Sequence, residues 1–252
     1  MPAESAKERG MTVRFAIVSD IHGNIEAFRQ VLEDVSQQDI QSCYFLGDAI
    51  SYGPEPDQCV KLLQEKNIPC ILGNHELAIV RPGTLSLFNE PTRKHFEISR
   101  KLLSPESINF ISTWPKTRIE HDMLLVHGCP PASVTRYLFD VDDEDLARIL
   151  TSMGPSIAFV GHTHELGMAE CTRQGLIRKN ISRGVYGIYC DKMLVNAGSV
   201  GQPRDMDSRA KYVIRDQKNQ SIEVRYVDYD IEKTVKAILD RGFPEYYAHR
   251  LR

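Results

Sequence analysis

Asp20 and His22 stand two residues apart in a polar turn that follows the apolar run Phe15-Ala16-Ile17-Val18. A carboxylate oxygen and an imidazole nitrogen at that spacing can close on one divalent transition metal; the bland alternative for such a turn is a helix cap. Four further turns of the same kind follow. Gly47-Asp48 ends the run Ser42 to Leu46, and Gly73-Asn74-His75-Glu76 ends Ile68 to Leu72. His127-Gly128 ends Leu124 to Val126, and Gly161-His162-Thr163-His164 ends Ile157 to Val160. The glycines let the backbone turn tightly beside a ligand.

Short apolar runs bounded by turn residues read as buried strands. Five candidate strands thus deliver their polar residues at the same end, which in open α/β sheets is where ligands bind. Between the strands, Ile25, Phe28, Leu32 and Val35 recur at helical spacing. A second helix starts at Pro56, with Cys59, Val60 and Leu63 as its inner stripe. Strand-helix-strand alternation argues for parallel pairing with right-handed crossovers. The stretch from about 77 to 113 reads as a helical insertion, either a wall over the polar turns or packing for a sheet edge. Beyond it, Lys116 to Glu120 and Met123 to Val126 read as an antiparallel pair, and Asp142 to Thr151 as a helix with an acidic, dipole-matching start. Later runs from Leu166 to Val195 are strand-like, and Lys211 to Arg215 with Ile222 to Val227 alternates as a hairpin does. A helix over Ile231 to Leu239 and an aromatic-rich end, Phe243 to Leu251, complete the chain. The expected fold is α/β (α+β): two packed mixed β-sheets flanked by helices.

The five motifs D-x-H, G-D, G-N-H-[DE], a histidine after a strand, and G-H-x-H occur here in that order from Asp20 to His164. In this the chain resembles the calcineurin-like metallophosphoesterases. The segment Asn196 to Asp205 resembles the closing segment of that superfamily's small bacterial phosphodiesterase-like branch. The resemblance implies a four-layer sandwich and two divalent transition metal ions (Mn, Fe, Zn, Co or Ni, the mixed donor set being less suited to Mg). It puts Asp20, His22 and His164 on one ion and Asn74, His127 and His162 on the other, with Asp48 bridging. It further implies a bridging hydroxide, sharpened by both metals, for in-line attack on phosphorus. All four ligand histidines must be neutral, so activity should fall in acid.

By the same resemblance His75 is the candidate general acid or transition-state contact, an orienting role being the alternative. Glu76 reads as the group that orients His75 or as a residue of a helix's first turn. Asn24 reads as a phosphate contact or a helix cap, and Arg204 as a phosphate contact or a surface ion pair. The arginine that follows G-D in protein serine/threonine phosphatases is missing here: Asp48 is followed by Ala49-Ile50-Ser51-Tyr52-Gly53. Protein phosphatase is therefore disfavoured. The expected activity is hydrolysis of a small phosphodiester, nucleotides being one class. A phosphomonoesterase, a dinucleoside polyphosphate hydrolase and a non-catalytic scaffold of the same fold are the alternatives.

Composition bounds the remaining options. The 252 residues suit a single domain over 11–252, after a loose tail over 1–10 that lacks the apolar stretch of a secretory signal. No run reaches the length needed to span a bilayer. A formal net charge of -3 gives no global reason to expect nucleic acid as a partner. Six cysteines without a C-x-x-C pair read as reduced thiols of a cytoplasmic protein.

Overall fold

The computed structural model of the protein describes residues 13–252; the tail expected over 1–10 lies outside the described residues. Strand β1 (Arg14–Val18) leads through a loop into helix α1 (Ile25–Ser36), then β2 (Ser42–Phe45) and α2 (Pro56–Glu65). The insertion comprises α3 (Asn74–Val80), a 3-10 turn (Pro82–Leu87), α4 (Glu90–Lys101) and α5 (Pro105–Ser112). Next come β3 (Thr117–Glu120), β4 (Met123–Val126), α6 (Asp143–Ser152) and β5 (Ile157–Val160). Strands β6 (Leu166–Thr172), β7 (Gly175–Asn180), β8 (Gly184–Gly187) and β9 (Lys192–Ala197) follow. The hairpin β10 (Ala210–Asp216) and β11 (Ser221–Val227) precedes α7 (Ile231–Asp240) and α8 (Glu245–His249).

Two mixed sheets result, with strand orders β2-β1-β10-β11-β8 and β3-β4-β5-β9-β6-β7. The period-2 alternation of β1 shows how they stack. Phe15 and Ile17 point into the core between the sheets, against Leu125, Phe159 and Val195. Ala16 and Val18 point outward under Phe28 and Val31 of α1. On the far side, Val126 and Val160 pack beneath Leu146 and Leu150 of α6. The order of layers is helix, sheet, sheet, helix, as expected.

One expected strand is missing. Ile68 to Leu72 makes only an isolated parallel bridge, Cys70 to Phe45. Pro69 has no amide to donate, so the pairing amounts to Phe45 N–H to the Pro69 carbonyl and Ile71 N–H to the Phe45 carbonyl. Leu72 then turns away and donates to the Pro115 carbonyl. The segment still runs parallel to β2, so Gly73 and Asn74 arrive at the same rim as the other motifs.

The insertion packs on the first sheet, and its Phe88 also lies against His75 at 4.9 Å between ring centroids. Phe96, Leu103, Ile111 and Trp114 join the core outside the first sheet, while Ile98 of α4 and Leu102 just past its end pack on α7 and α8. Among the described residues no helix is long and apolar enough to cross a membrane, and all six cysteines are free.

Candidate dinuclear metal centre

The carboxyl ends of β1, β2, β4 and β5 open onto one buried depression, and their loops are stitched together there. His22 N–H donates to the Asp48 carbonyl (2.9 Å), Gly161 N–H to the His127 carbonyl (2.9 Å), and Gly201 N–H to the Asp20 carbonyl (2.9 Å). Five of the seven expected ligands adopt left-handed backbone: Asp20, His22, Asp48, His162 and His164, with φ between 47° and 68°. Non-glycine residues rarely stand there, and each costs on the order of 1–3 kcal/mol, so the surrounding fold must enforce the geometry.

All seven side chains are buried and meet. Asp20 Oδ1 lies 3.2 Å from His164 Nε2 and 3.6 Å from His22 Nε2. Asp48 Oδ2 lies 3.2 Å from His127 Nε2 and 3.8 Å from His22 Nε2, which makes it the atom common to both groups. Asn74 Oδ1 is 3.2 Å from His127 Nε2. His162 belongs with Asp48 and His127 in a cluster whose candidate donor atoms lie within 4.8 Å of one another.

Each donor is oriented from behind. The Nδ1 atoms of His22, His127 and His164 donate to the carbonyls of Ile50 (2.9 Å), Leu46 (2.9 Å) and Gln202 (2.7 Å). A carbonyl can only accept, so these nitrogens carry a hydrogen and Nε2 is the atom each ring turns inward, a bare acceptor wherever the ring is neutral. His162 is reversed: its Nε2 meets the Thr135 carbonyl at 3.2 Å, which leaves Nδ1 for the centre. The carboxylates are split in the same way. Asp48 Oδ1 accepts from the His75 amide (3.0 Å) and Asp20 Oδ2 from the His162 amide (3.1 Å). Asp20 Oδ1 has no hydrogen-bond partner.

This convergence of acceptors tests the fit of a cation. His22 Nε2 and His164 Nε2 oppose each other at 3.0 Å with both hydrogens committed elsewhere. Acceptor facing acceptor, in a site shielded from water, is stable only around positive charge. The residues therefore fit divalent metals, and the backs of the ligands are held as metal ligands require.

The charges tell the same story. Burial pushes the Asp48 and Asp20 carboxyls upward, but His127 for the first and His164 for the second pull both below the usual carboxylate range. Burial opposes the charged form of His127, yet Asp48, assisted by Asp20 and Glu76, lifts it to about 9. In effect a proton on His127 stands in for the cation. Burial takes His162 down to about 3 and His164 to about 4, so both are neutral donors near pH 7.

His75 lies beside the centre, with Nε2 3.9 Å from Asp48 Oδ2 and its buried Nδ1 unpartnered. Burial takes its imidazole to about 3, so it is neutral at pH 7. Of its two readings Glu76 takes the first-turn one: it stands in the first turn of α3 and does not touch the His75 ring. Its carboxylate accepts from the amides of Asp48 (2.7 Å), Ala49 (2.9 Å), Ile50 (3.3 Å) and Gly73 (3.1 Å), tying two ligand loops together. Gly73 permits this closeness, because an added Cβ would overlap Asp48 Oδ1.

Asn24 takes the helix-cap option of its two readings. Its Oδ1 accepts from the Ala27 amide and the Thr234 hydroxyl (both 3.1 Å), and its Nδ2 donates to the Gly201 carbonyl (3.0 Å). Buried and committed on both ends, it has no reach toward a phosphate. Arg204 instead borders the open cavity beside the centre, with no acidic partner among the described residues. Asn196 and Ser199 of the same segment are struts: Asn196 Nδ2 holds the Gly161 carbonyl (3.0 Å) and Ser199 Oγ the Asp20 carbonyl (2.8 Å).

An aromatic shell escaped the sequence reading. Tyr137 stacks on His162 at 3.8 Å between ring centroids. Tyr52 packs on His22 at 4.5 Å and stacks on Tyr247 of α8 at 5.1 Å, which brings the chain's end to the site. The only sequence signal was aromatic richness in that end and Tyr52 four residues past Asp48.

The family model of the calcineurin-like phosphoesterase superfamily domain matches residues 13–220. The uncharacterized protein MJ0912 of Methanocaldococcus jannaschii is 33% identical over 246 residues, 94% of this chain and 96% of that protein. The crystal structure of a metallophosphoesterase from Sphaerobacter thermophilus superposes with a TM-score of 0.83 at 29% identity, covering 95% of this chain and 98% of the other. A symmetrical bis(5′-nucleosyl)-tetraphosphatase of Buchnera aphidicola is 31% identical over 98 residues, 38% of this chain and 35% of that enzyme. Family model, a relative matched over nearly its whole length and a solved structure agree with the donor cluster, and the chain belongs to the calcineurin-like phosphoesterase superfamily as a metal-dependent hydrolase of phosphoric esters.

Proposed function

We propose that this protein is a dinuclear metal-dependent phosphodiesterase acting on a small phosphate ester. The observation that carries the reading is Asp48 Oδ2, which lies within 4 Å of the Nε2 atoms of His22 and His127 and so belongs to both halves of the donor set. Asp20, His22 and His164 would hold one cation, Asn74, His127 and His162 the other, and Asp48 both. When bound, two such cations supply an acidified water and positive charge for the phosphoryl oxygens.

The chain's own residues do the rest. Backbone carbonyls behind His22, His127 and His164 fix their orientation, so that Nε2 is the nitrogen each would offer a metal. His75, neutral and with Nε2 facing the centre 3.9 Å from Asp48 Oδ2, would hydrogen-bond a phosphoryl or leaving-group oxygen as charge builds there. Arg204 at the rim of the cavity supplies a fixed cation for a second phosphate oxygen.

A second reading is hydrolysis of dinucleoside polyphosphates, which the partial match to the Buchnera tetraphosphatase favours. Both share one centre and differ in the wall beside it. The test is metal analysis of the full chain together with turnover of bis(p-nitrophenyl) phosphate, p-nitrophenyl phosphate and diadenosine tetraphosphate in Mn. About two metals per chain and preference for the diester over the monoester are expected. Preference for the monoester would overturn the diesterase assignment.

A further inference from the structure

Tyr52 stands at φ 61° directly after Ser51 at φ 71°, two consecutive side-chain-bearing residues in left-handed backbone. A bulky residue there is an outlier that persists only where its surroundings enforce it. Three contacts do so. The Ser51 amide donates to Oγ of buried Ser99 in α4 (3.0 Å), and the Ile50 carbonyl accepts from His22 Nδ1 (2.9 Å). Gly53 lies so near the His22 carbonyl that an added Cβ would overlap it. The turn brings the Tyr52 ring onto His22 and His75 (4.5 and 5.0 Å between centroids) and stacks it on Tyr247 of α8 (5.1 Å). Tyr247 packs in turn on His95 of α4 at 3.8 Å.

His75 needs such a neighbour. Backbone carbonyls orient His22, His127 and His164 through Nδ1. The His75 Nδ1 is buried with no hydrogen-bond partner, and its Nε2 is 3.9 Å from Asp48 Oδ2. Only packing therefore holds the last torsion of this side chain, which is broad by nature. The packing is aromatic: Tyr52 edge-on at 76°, His22 edge-on at 88° and Phe88 tilted at 40°. Edge-to-face contacts are directional, and a swing of the imidazole would have to displace them. Tyr52 is the ring carried by the same strained, hydrogen-bonded loop as Asp48.

We propose that Tyr52 is a positioning residue: its ring holds the His75 imidazole with Nε2 toward the donor cluster, and Tyr247 backs Tyr52. The consequence for rate rests on the phosphodiesterase reading and on the part His75 takes in it. The orientation is a property of the chain before any metal binds. Loss of the Tyr52 ring releases His75 but not His22, which keeps its bond to the Ile50 carbonyl. Rate falls and metal stays.

The experiment has two arms. The first is nuclear magnetic resonance of the metal-free full chain with isotope-labelled histidine, the His75 ring signals being assigned by their loss in His75→Ala. In Tyr52→Leu those signals should broaden or split, while those of His22, His127 and His164 stay single. Tyr52→Phe, which keeps the ring, should restore single His75 signals. The second arm is turnover of bis(p-nitrophenyl) phosphate in Mn. Tyr52→Leu should lower kcat about ten-fold or more with metal content and KM kept. In a His75→Ala background it should lower kcat no further, as for two residues acting as one unit. The same readouts on Tyr247→Leu should move in the same direction to a smaller extent, and they decide the matter if Tyr52→Leu fails to fold. Single His75 signals in these variants, a rate loss explained by lost metal, or one that recurs in full on His75→Ala would overturn the proposal. Broadened signals with normal turnover by His75→Ala itself would leave the positioning standing and remove the role of His75 in the reaction.

Discussion

His22 and His164 point their Nε2 atoms at each other across 3.0 Å, each with its Nδ1 hydrogen already given to a backbone carbonyl. Two lone pairs at that distance, beside the unpartnered Oδ1 of Asp20, are a stable arrangement only when a cation shares them. Several measurable consequences follow from that geometry and from the loops behind it.

Removing the metals should destabilise the fold, because anything bound by the native state alone adds RT ln(1 + [L]/Kd) to its stability. Prolonged chelation should lower the midpoint of thermal unfolding, and Mn should restore it. Asp48→Asn should bind fewer metals and lose at least about 100-fold in activity, as loss of groups supporting a metal ligand already costs 10–100-fold. Elemental analysis and steady-state kinetics on the same preparation check both.

His75→Ala should separate binding from rate. Its ring is not among the seven expected ligands, so two metals should remain bound. The turnover number should fall by about 10²–10⁴, the range for a group that handles a proton or hydrogen bond in the transition state. Unchanged turnover would remove the role given to it.

Metal uptake should release a proton at pH 7. His127, lifted to about 9 by Asp48 against the cost of burial, holds a proton in the metal-free state and must lose it to coordinate. Affinity should therefore rise with pH up to about 9. Calorimetry in two buffers of different ionisation enthalpy measures the proton directly.

Glu76→Gln should weaken the site without touching a ligand. Burial and the nearby Asp48 push the Glu76 carboxyl up to about 8, but four backbone amides donate to its two oxygens and leave no acceptor for a carboxyl proton, whereas an amide side chain turns one acceptor into a donor facing N–H groups. Each buried donor left unpaired costs about 1–3 kcal/mol. Chemical denaturation should show a loss in that range and metal titration a weaker affinity.

Acid sensitivity of the fold should be traceable in part to Asp34. Hydrogen bonds from Arg225 (2.7 and 2.8 Å) outweigh partial burial and, with Tyr212, hold its pKa below the usual aspartate value. The contribution is complete above the unfolded pKa near 3.8 and is lost as pH falls through the lower folded value. Asp34→Asn should cost about 1 kcal/mol at pH 7, allowing for solvent screening, and should flatten the stability profile below about pH 4.

That polar residues would gather at one rim was legible, because polar turns after apolar runs are a local pattern and the shared rim follows from parallel strands; the assignment of seven of them as ligands came from the family resemblance. The missing third strand was not legible, since Pro69 and the diversion of Leu72 to Pro115 depend on what lies alongside. Glu76 was half legible for a related reason: its place in the first turn of α3 is local, but three of its four amide partners are 26 to 28 residues away in the Asp48 loop. The wall of the cavity was the least legible part. Tyr52, His95 and Tyr247 meet only because α4 and α8 pack together, and no spacing in the chain announces a contact between residue 52 and residue 247.

Five donors held at positive φ also bear on how such an enzyme could be retired. Each of those positions would relax if glycine replaced it, so a descendant released from hydrolysis would gain robustness by discarding the very side chains that grip the ions. Inactivation would be a downhill walk, and finding all five still in place speaks for a centre that is in use.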